Sequence, residues 1–72
     1  MEEEIKKMIE DGLPLVDAES EFLFGELDSL GIAEIMMMLG DKYGVQLDYS
    51  DVTPKNFKSI KTLATMVRTK LS

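Results

Sequence analysis

The chain has 72 residues, 44% of them hydrophobic, and a formal net charge of −6 at pH 7. These values indicate a single small folded domain over residues 1–72 and exclude a disordered acidic tail. The acidic surface disfavours binding to nucleic acid and to anionic membranes. Cysteine and histidine are both absent, which excludes disulfides, thiolate or Ser–His catalysis and Cys/His zinc sites, so we expect neither enzymatic activity nor a metal centre.

The first predicted element is a short amphipathic helix over residues 2–12, with acidic residues in its first turn. Its apolar residues recur at helical spacing: Ile5, Met8 and Ile9. Gly12 and then Pro14 close the segment. Three residues are expected to anchor its exit to the core: Leu13, Leu15 and Val16.

A long connection follows over residues 17–28, where neither a helical nor a strand period is sustained. A connection of this length needs its own anchors on the core. Phe22, Leu23 and Phe24 interrupt an otherwise polar and acidic stretch, so we expect these side chains to hold the loop against the bundle.

The second predicted helix runs from Leu30 to about Tyr43 and is apolar on most of its surface, with Gly44 as its expected stop. One stripe is expected to face the core: Ile32, Ile35, Met36, Leu39 and Tyr43. The other face carries a second row: Leu30, Glu34, Met37 and Asp41. A helix this apolar is either buried on several sides or leaves Leu30 and Met37 exposed for a partner.

The last third of the chain predicts one more helix. Residues 45–49 alternate apolar and polar side chains, but a single strand would have no pairing partner, so we expect an extended crossing segment. A short helical turn is expected over residues 53–57, with Phe57 as its packing residue.

Ser59 is the expected N-cap of the last helix. Its core-facing side chains are Ile60, Leu63, Ala64, Val67 and Leu71.

Together these elements predict an all-α fold. It is a small four-helix bundle made of three main helices plus one short helical turn, with the long loop between helices one and two. The longest apolar run, residues 35–39, is far too short to cross a membrane, and Glu2, Glu3 and Glu4 have the wrong charge for a secretory signal. We therefore expect a cytoplasmic monomer.

Asp28, Ser29 and Leu30 stand at the start of the second predicted helix. Backbone N–H groups at a helix N-terminus have no intrahelical acceptor, and the helix dipole favours a phosphate group there. Ser29 is therefore well placed to accept a phosphoryl group. Taken alone, the tripeptide is also compatible with an ordinary helix start in which Asp28 or Ser29 is the N-cap.

The motifs around this tripeptide, and their order, make its interpretation more specific. Phe24-Gly25 precedes it, Gly44-Val45-Gln46-Leu47 follows the apolar helix, and Asn56-Phe57-Lys58-Ser59-Ile60 opens the last helix, which contains Leu63-Ala64. In this order, which covers nearly the whole chain, the sequence resembles the acyl carrier and peptidyl carrier protein family in its free-standing form. The resemblance implies a carrier of fatty acyl, polyketide or aminoacyl cargo.

By this resemblance, Ser29 is the attachment site of a 4′-phosphopantetheine arm, which a phosphopantetheinyl transferase takes from coenzyme A. Asp28 helps the transferase and its magnesium ion to engage the site. The thiol of the arm holds the cargo as a thioester, which suits a chain that has no cysteine of its own.

The resemblance also implies a recognition surface for partner enzymes on the second helix. This surface is the outward row of two apolar and two acidic side chains: Leu30, Glu34, Met37 and Asp41. Residues 1–34 carry eleven acidic and two basic side chains, whereas residues 35–72 carry three acidic and six basic ones. We therefore expect loading and processing enzymes with basic docking patches. In the simpler alternative, Met37 fills space in the core.

Two departures from the family pattern bear on the pathway. Gly31 and Gly40 stand where carriers of general fatty acid synthesis commonly have acids, and residues 56–60 are more similar to carriers of dedicated acyl or aminoacyl pathways. The sequence thus favours a dedicated biosynthetic pathway. The alternative function is a non-catalytic helical interaction module that is not phosphopantetheinylated.

Overall fold

The computed structural model describes all 72 residues and consists of three α-helices joined by loops. Helix α1 spans Glu2–Gly12, α2 spans Ser29–Tyr43 and α3 spans Ile60–Leu71. Short 3₁₀-helices lie in the two loops, at Leu23–Glu26 and Tyr49–Asp51, and there is no β-strand. The predicted all-α bundle with a long first loop is confirmed. None of its helices combines the length and the apolar character needed to span a lipid bilayer.

One hydrophobic core lies between the three helices, and all of its side chains are apolar. Each helix contributes positions that recur at helical spacing, and the two loops add the others. The buried side chains are Ile5, Ile9, Ala18, Leu23, Ile35, Leu39, Val45, Phe57, Leu63, Ala64, Met66 and Val67. No polar side chain is buried, so the polar groups that could take part in chemistry all lie at the surface.

The helix ends follow the predicted signals. Ser59 caps α3 through a capping box: its Oγ accepts a hydrogen bond from Thr62 N–H at 3.3 Å, and its own N–H donates to Thr62 Oγ1 at 2.9 Å. Gly44 ends α2 with a φ of 67°, in the left-handed region that glycine adopts without steric cost.

The long loop between α1 and α2 is anchored mainly by Leu23. This side chain is fully buried, and its backbone N–H donates to the Lys58 carbonyl at 2.6 Å, which ties the loop to the segment before α3. Phe24 packs against the core, whereas Phe22 is half exposed and lies 6.1 Å from the Phe24 ring, centroid to centroid. Two of the three predicted anchors therefore contact the core, and Phe22 covers the loop instead.

Two leucines predicted to face the core are exposed. Leu15 is 99% exposed because Val16 N–H donates to the Leu13 carbonyl at 3.0 Å and closes a turn, with Leu15 at its outer corner. Leu13 and Val16 do pack against the core. Leu71 is about half exposed in the last turn of α3.

A short 3₁₀-helix that the sequence did not predict precedes the expected helical turn. Asp48 caps the 3₁₀-helix Tyr49–Asp51, which gives this short segment its own start signal. Residues 53–57 form the predicted single helical turn, closed by a 3.0 Å hydrogen bond from Phe57 N–H to the Thr53 carbonyl. Phe57 is fully buried, so its predicted packing role is confirmed.

A hydrogen bond joins the start of α1 to the end of α2: the Tyr43 hydroxyl donates to Glu4 Oε1 at 2.8 Å. Partial burial, together with the adjacent Glu4 carboxylate, raises the pKa of Tyr43 from 10.0 to about 12. The folded state thus holds the phenol proton more tightly than the unfolded state does. The stability that the protonated Tyr43 phenol contributes to the folded state is complete below about pH 10. It is lost as the pH rises from 10 to 12.

The Tyr43→Phe variant should lose stability less steeply than the wild type in alkaline solution. Urea unfolding at several pH values between about 9 and about 11 measures the two slopes. Tyr49→Phe is the matched control, because Tyr49 is 81% exposed, and its slope should equal that of the wild type. Equal slopes for the wild type and Tyr43→Phe would contradict the Tyr43–Glu4 hydrogen bond.

Candidate functional site

The tripeptide Asp28-Ser29-Leu30 forms the N-terminus of α2. Asp28 is the N-cap: its Oδ1 accepts a hydrogen bond from Gly31 N–H at 2.8 Å, and its carbonyl accepts one from Ile32 N–H at 3.0 Å. Ser29 is the first residue of the helix, one position before the predicted start. Of the two capping arrangements that the sequence allows, the structure has the one that leaves the Ser29 hydroxyl free.

The Ser29 side chain is exposed, and its hydroxyl makes no hydrogen bond within the chain. The backbone N–H groups of Ser29 and Leu30 have no intrahelical acceptor, as at any helix start. A phosphoester on Ser29 would therefore lie beside free N–H donors at the positive end of the helix dipole. A tether on this oxygen would lead directly into solvent, so the residues present fit a 4′-phosphopantetheine arm.

Gly31 allows the preceding loop to approach the start of α2. It is buried, and a Cβ at this position would lie 3.3 Å from Leu27 Cδ2 and 3.4 Å from Asp28 Oδ1. The contact with Leu27 would be tight, whereas the one with Asp28 would be an ordinary van der Waals contact, so the missing side chain mainly leaves room for Leu27 to pack. In the sequence, Gly31 stands out only as a departure from the family pattern. The signal that indicates its structural role is a glycine in the first turn of a helix, three residues after the N-cap.

The predicted partner-facing row lies on the accessible side of α2. Leu30 is 80% exposed, Met37 is 55% exposed and Asp41 is exposed, while Glu34 is half-buried. Neither acid forms an ion pair within the chain, because the three salt bridges involve other acids. The alternative in which Met37 fills the core is wrong. The core-facing side of the same helix is formed by Ile35 and Leu39, as predicted.

The comparison with known protein families covers nearly the whole chain. The family model described as "Phosphopantetheine attachment site" matches residues 3–68, which include α2 and most of α1 and α3. Searches of curated proteins and of solved structures found no significant match. The family match confirms the resemblance to carrier proteins, and the chain belongs to this phosphopantetheine attachment site family, whose members carry covalently attached 4′-phosphopantetheine.

Proposed function

We propose that the protein is an acyl or aminoacyl carrier of a dedicated biosynthetic pathway and that Ser29 is the residue to which its arm is attached. The observation that carries this proposal is the exposed, unbonded Ser29 hydroxyl at the first residue of α2. Ser59, the other serine at the start of an α-helix, is instead engaged as the N-cap of α3. Ser29 is therefore the serine whose position and freedom suit modification.

In the attachment step, Ser29 Oγ forms a bond to the phosphorus that carries the pantetheine half of coenzyme A. The bond from this phosphorus to the nucleotide half breaks, and the serine proton passes to a base. We assign the base to the phosphopantetheinyl transferase, because the chain has no histidine and Asp28, the carboxylate next to Ser29, is engaged as the N-cap. Asp28 uses Oδ1 for its cap and leaves Oδ2 available to the magnesium ion of the transferase.

The attached arm supplies a thiol that holds the cargo as a thioester. The protein's own residues position this arm and present the carrier to enzymes, and we propose that they take no part in the cargo's chemistry. Leu30 and Met37 offer apolar contacts near the arm, while Glu34 and Asp41 offer unpaired negative charge. This surface suits loading and processing enzymes that carry basic docking patches around an apolar contact.

Intact-mass measurement tests the carrier function directly. The wild-type chain is incubated with coenzyme A and a phosphopantetheinyl transferase of broad specificity. We expect the mass to increase by one phosphopantetheine group and by no more, because one serine is free at a helix start. A chain that remains unmodified while a known carrier in the same mixture is modified would contradict the proposal.

The Glu34→Lys variant should accept the arm more slowly than the wild type at low salt, by about three- to tenfold, with the difference shrinking at high salt. Glu34 carries unpaired negative charge on the proposed docking surface. The control is Glu10→Lys on α1, which changes the net charge by the same amount at an exposed acid. Initial rates of arm transfer measure both variants. Equal rates of arm transfer for Glu34→Lys and Glu10→Lys would show that the transfer depends only on the total charge of the chain. That result would contradict a docking role for Glu34.

The alternative is a helical interaction module that never carries an arm, and the exposed Leu30 and Met37 favour it. A pure adaptor should bind its partners equally well when Ser29 is replaced. Pull-down from the native source with wild-type protein and with Ser29→Ala distinguishes the two functions. Partners that depend on Ser29 support the carrier.

A further inference from the structure

An open groove lies directly beside the start of α2. One wall is the turn after α1, residues 13–16, the other is the segment 26–28 that precedes Ser29, and Gly31 contributes to the floor. We call this the loop groove; it encloses about 350 Å³, which is within the range of small-molecule sites. Its lining is mostly apolar, and Glu26 and Asp28 are the charged groups in it.

Hydrogen bonds hold the two walls of the loop groove in place. Asp17 N–H donates to Glu26 Oε1 at 3.1 Å, which links the two loop segments across nine residues of sequence. The turn of the first wall is closed by the 3.0 Å hydrogen bond from Val16 N–H to the Leu13 carbonyl. The second wall ends at Asp28, which is fixed by its cap. These hydrogen bonds link the two walls of the groove and shape its turn.

Leu15 gives the groove an apolar rim that the folded chain does not use. Its side chain is 99% exposed, whereas Leu27 on the opposite wall is half-buried. Covering an exposed leucine releases hydrophobic free energy, so an apolar ligand that reaches this rim is stabilised there. The carboxylates of Glu26 and Asp28 disfavour a free anion but accept hydrogen bonds from amide N–H groups.

A group attached to Ser29 reaches the loop groove at a much higher local concentration than a free ligand does. Asp28 borders the groove and Ser29 is the next residue, so a short flexible tether gives an effective concentration on the order of millimolar. A second groove, between the C-terminal half of α2 and residues 45–48, includes Gly40. Its nearest residue on α2 is Met36, which lies about 10 Å further along the helix axis than Ser29 at a rise of about 1.5 Å per residue, whereas the loop groove begins at the residue next to Ser29.

We infer that the loop groove receives the part of the phosphopantetheine arm next to its phosphate. The two methyl groups of that part contact Leu15 and Leu27, and Glu26 accepts a hydrogen bond from an amide N–H of the arm. The phosphate itself remains at the N-terminus of α2. This inference rests on the proposed attachment to Ser29, and it assigns the first loop a role in holding the arm against the protein.

Nuclear Overhauser effects between the arm and the protein test this inference. The chain is labelled with ¹³C and ¹⁵N, and a transferase adds an unlabelled arm from coenzyme A, so that isotope filtering selects contacts between the two. We expect effects from the arm methyl protons to Leu15 and Leu27. Effects to Val45 and Leu47 of the second groove, or none in a chain whose mass shows the arm, would overturn the inference. An unmodified mass would instead contradict the proposed function.

A pair of leucine variants separates arm docking from the local effect of attachment. Leu15→Asn removes the apolar rim, and Leu71→Asn removes a different exposed leucine, at the end of α3. In the wild type and Leu71→Asn, attachment should shift the amide resonances of Val16 and Leu27. In Leu15→Asn, most of this shift should disappear although the arm is attached. Shifts of equal size in both variants would overturn the inference.

Discussion

Replacing Ser29 with alanine is expected to abolish addition of the phosphopantetheine arm. The Ser29 hydroxyl is the proposed nucleophile of the transfer, and alanine offers no oxygen in its place. The hydroxyl makes no hydrogen bond within the chain, so the free energy of unfolding should change by no more than about 0.5 kcal/mol. Intact-mass measurement after incubation with coenzyme A and a transferase gives the first result, and urea unfolding gives the second.

Ser50→Ala is the matched control for this loss. Ser50 is also an exposed serine, but it lies in the 3₁₀-helix Tyr49–Asp51, away from the start of any α-helix. This variant should accept one arm at the wild-type rate. An increase in mass for the Ser29→Ala variant would place the attachment at another residue and contradict the proposed role of Ser29.

Truncating a core side chain should produce the largest loss of stability. Ile35 on α2 and Leu63 on α3 have at most 1% of their surface exposed, so Ile35→Ala or Leu63→Ala leaves a cavity between the helices. Such changes cost about 2 to 5 kcal/mol. A domain of this length has a total stability of roughly 4 to 11 kcal/mol. We therefore expect a large fall in the urea midpoint and, at the upper end of the range, partial unfolding without denaturant.

Met37→Ala is the control on the other side of α2. Met37 is 55% exposed, and its truncation should change the free energy of unfolding by about 0.5 kcal/mol or less. The contrast with Ile35→Ala tests the rotation of α2 about its axis. If Met37→Ala were as destabilising as Ile35→Ala, the row from Leu30 to Asp41 would face the core and could not serve as a docking surface.

The location of the arm has a consequence for partner recognition. If the arm rests in the loop groove, an enzyme that uses the cargo must draw the arm out of it. A partner that binds the proposed docking surface would cover the exposed Leu30 and Met37, approach from the adjoining surface of α2 and compete for the arm. The loop between α1 and α2 would then control how readily the arm becomes available to a partner. In Leu15→Asn the arm should be held less tightly, so that even a partner that binds weakly could reach it.

The amino-acid sequence by itself determined the helices and their ends, because those signals are local. The acidic first turn and Gly12 bound α1, Ser59 caps α3, and Gly44 stops α2. The order of these elements around Ser29 was enough for a resemblance to carrier proteins, which the family match over residues 3–68 confirms. Periodicity also separated the buried side of α2 from its exposed side, since a helix has a fixed number of residues per turn.

Only the tertiary structure decided which loop side chains are covered. An apolar residue in a loop has no period to indicate its direction, and its burial depends on segments distant in sequence. Leu23 is buried because the loop meets the segment before α3, whereas Leu15 is exposed at the corner of a tight turn. The loop groove likewise forms where the turn after α1 meets the segment before α2, two stretches that the Asp17–Glu26 hydrogen bond links. Such contacts depend on how the chain packs in three dimensions, so local sequence patterns do not reveal them.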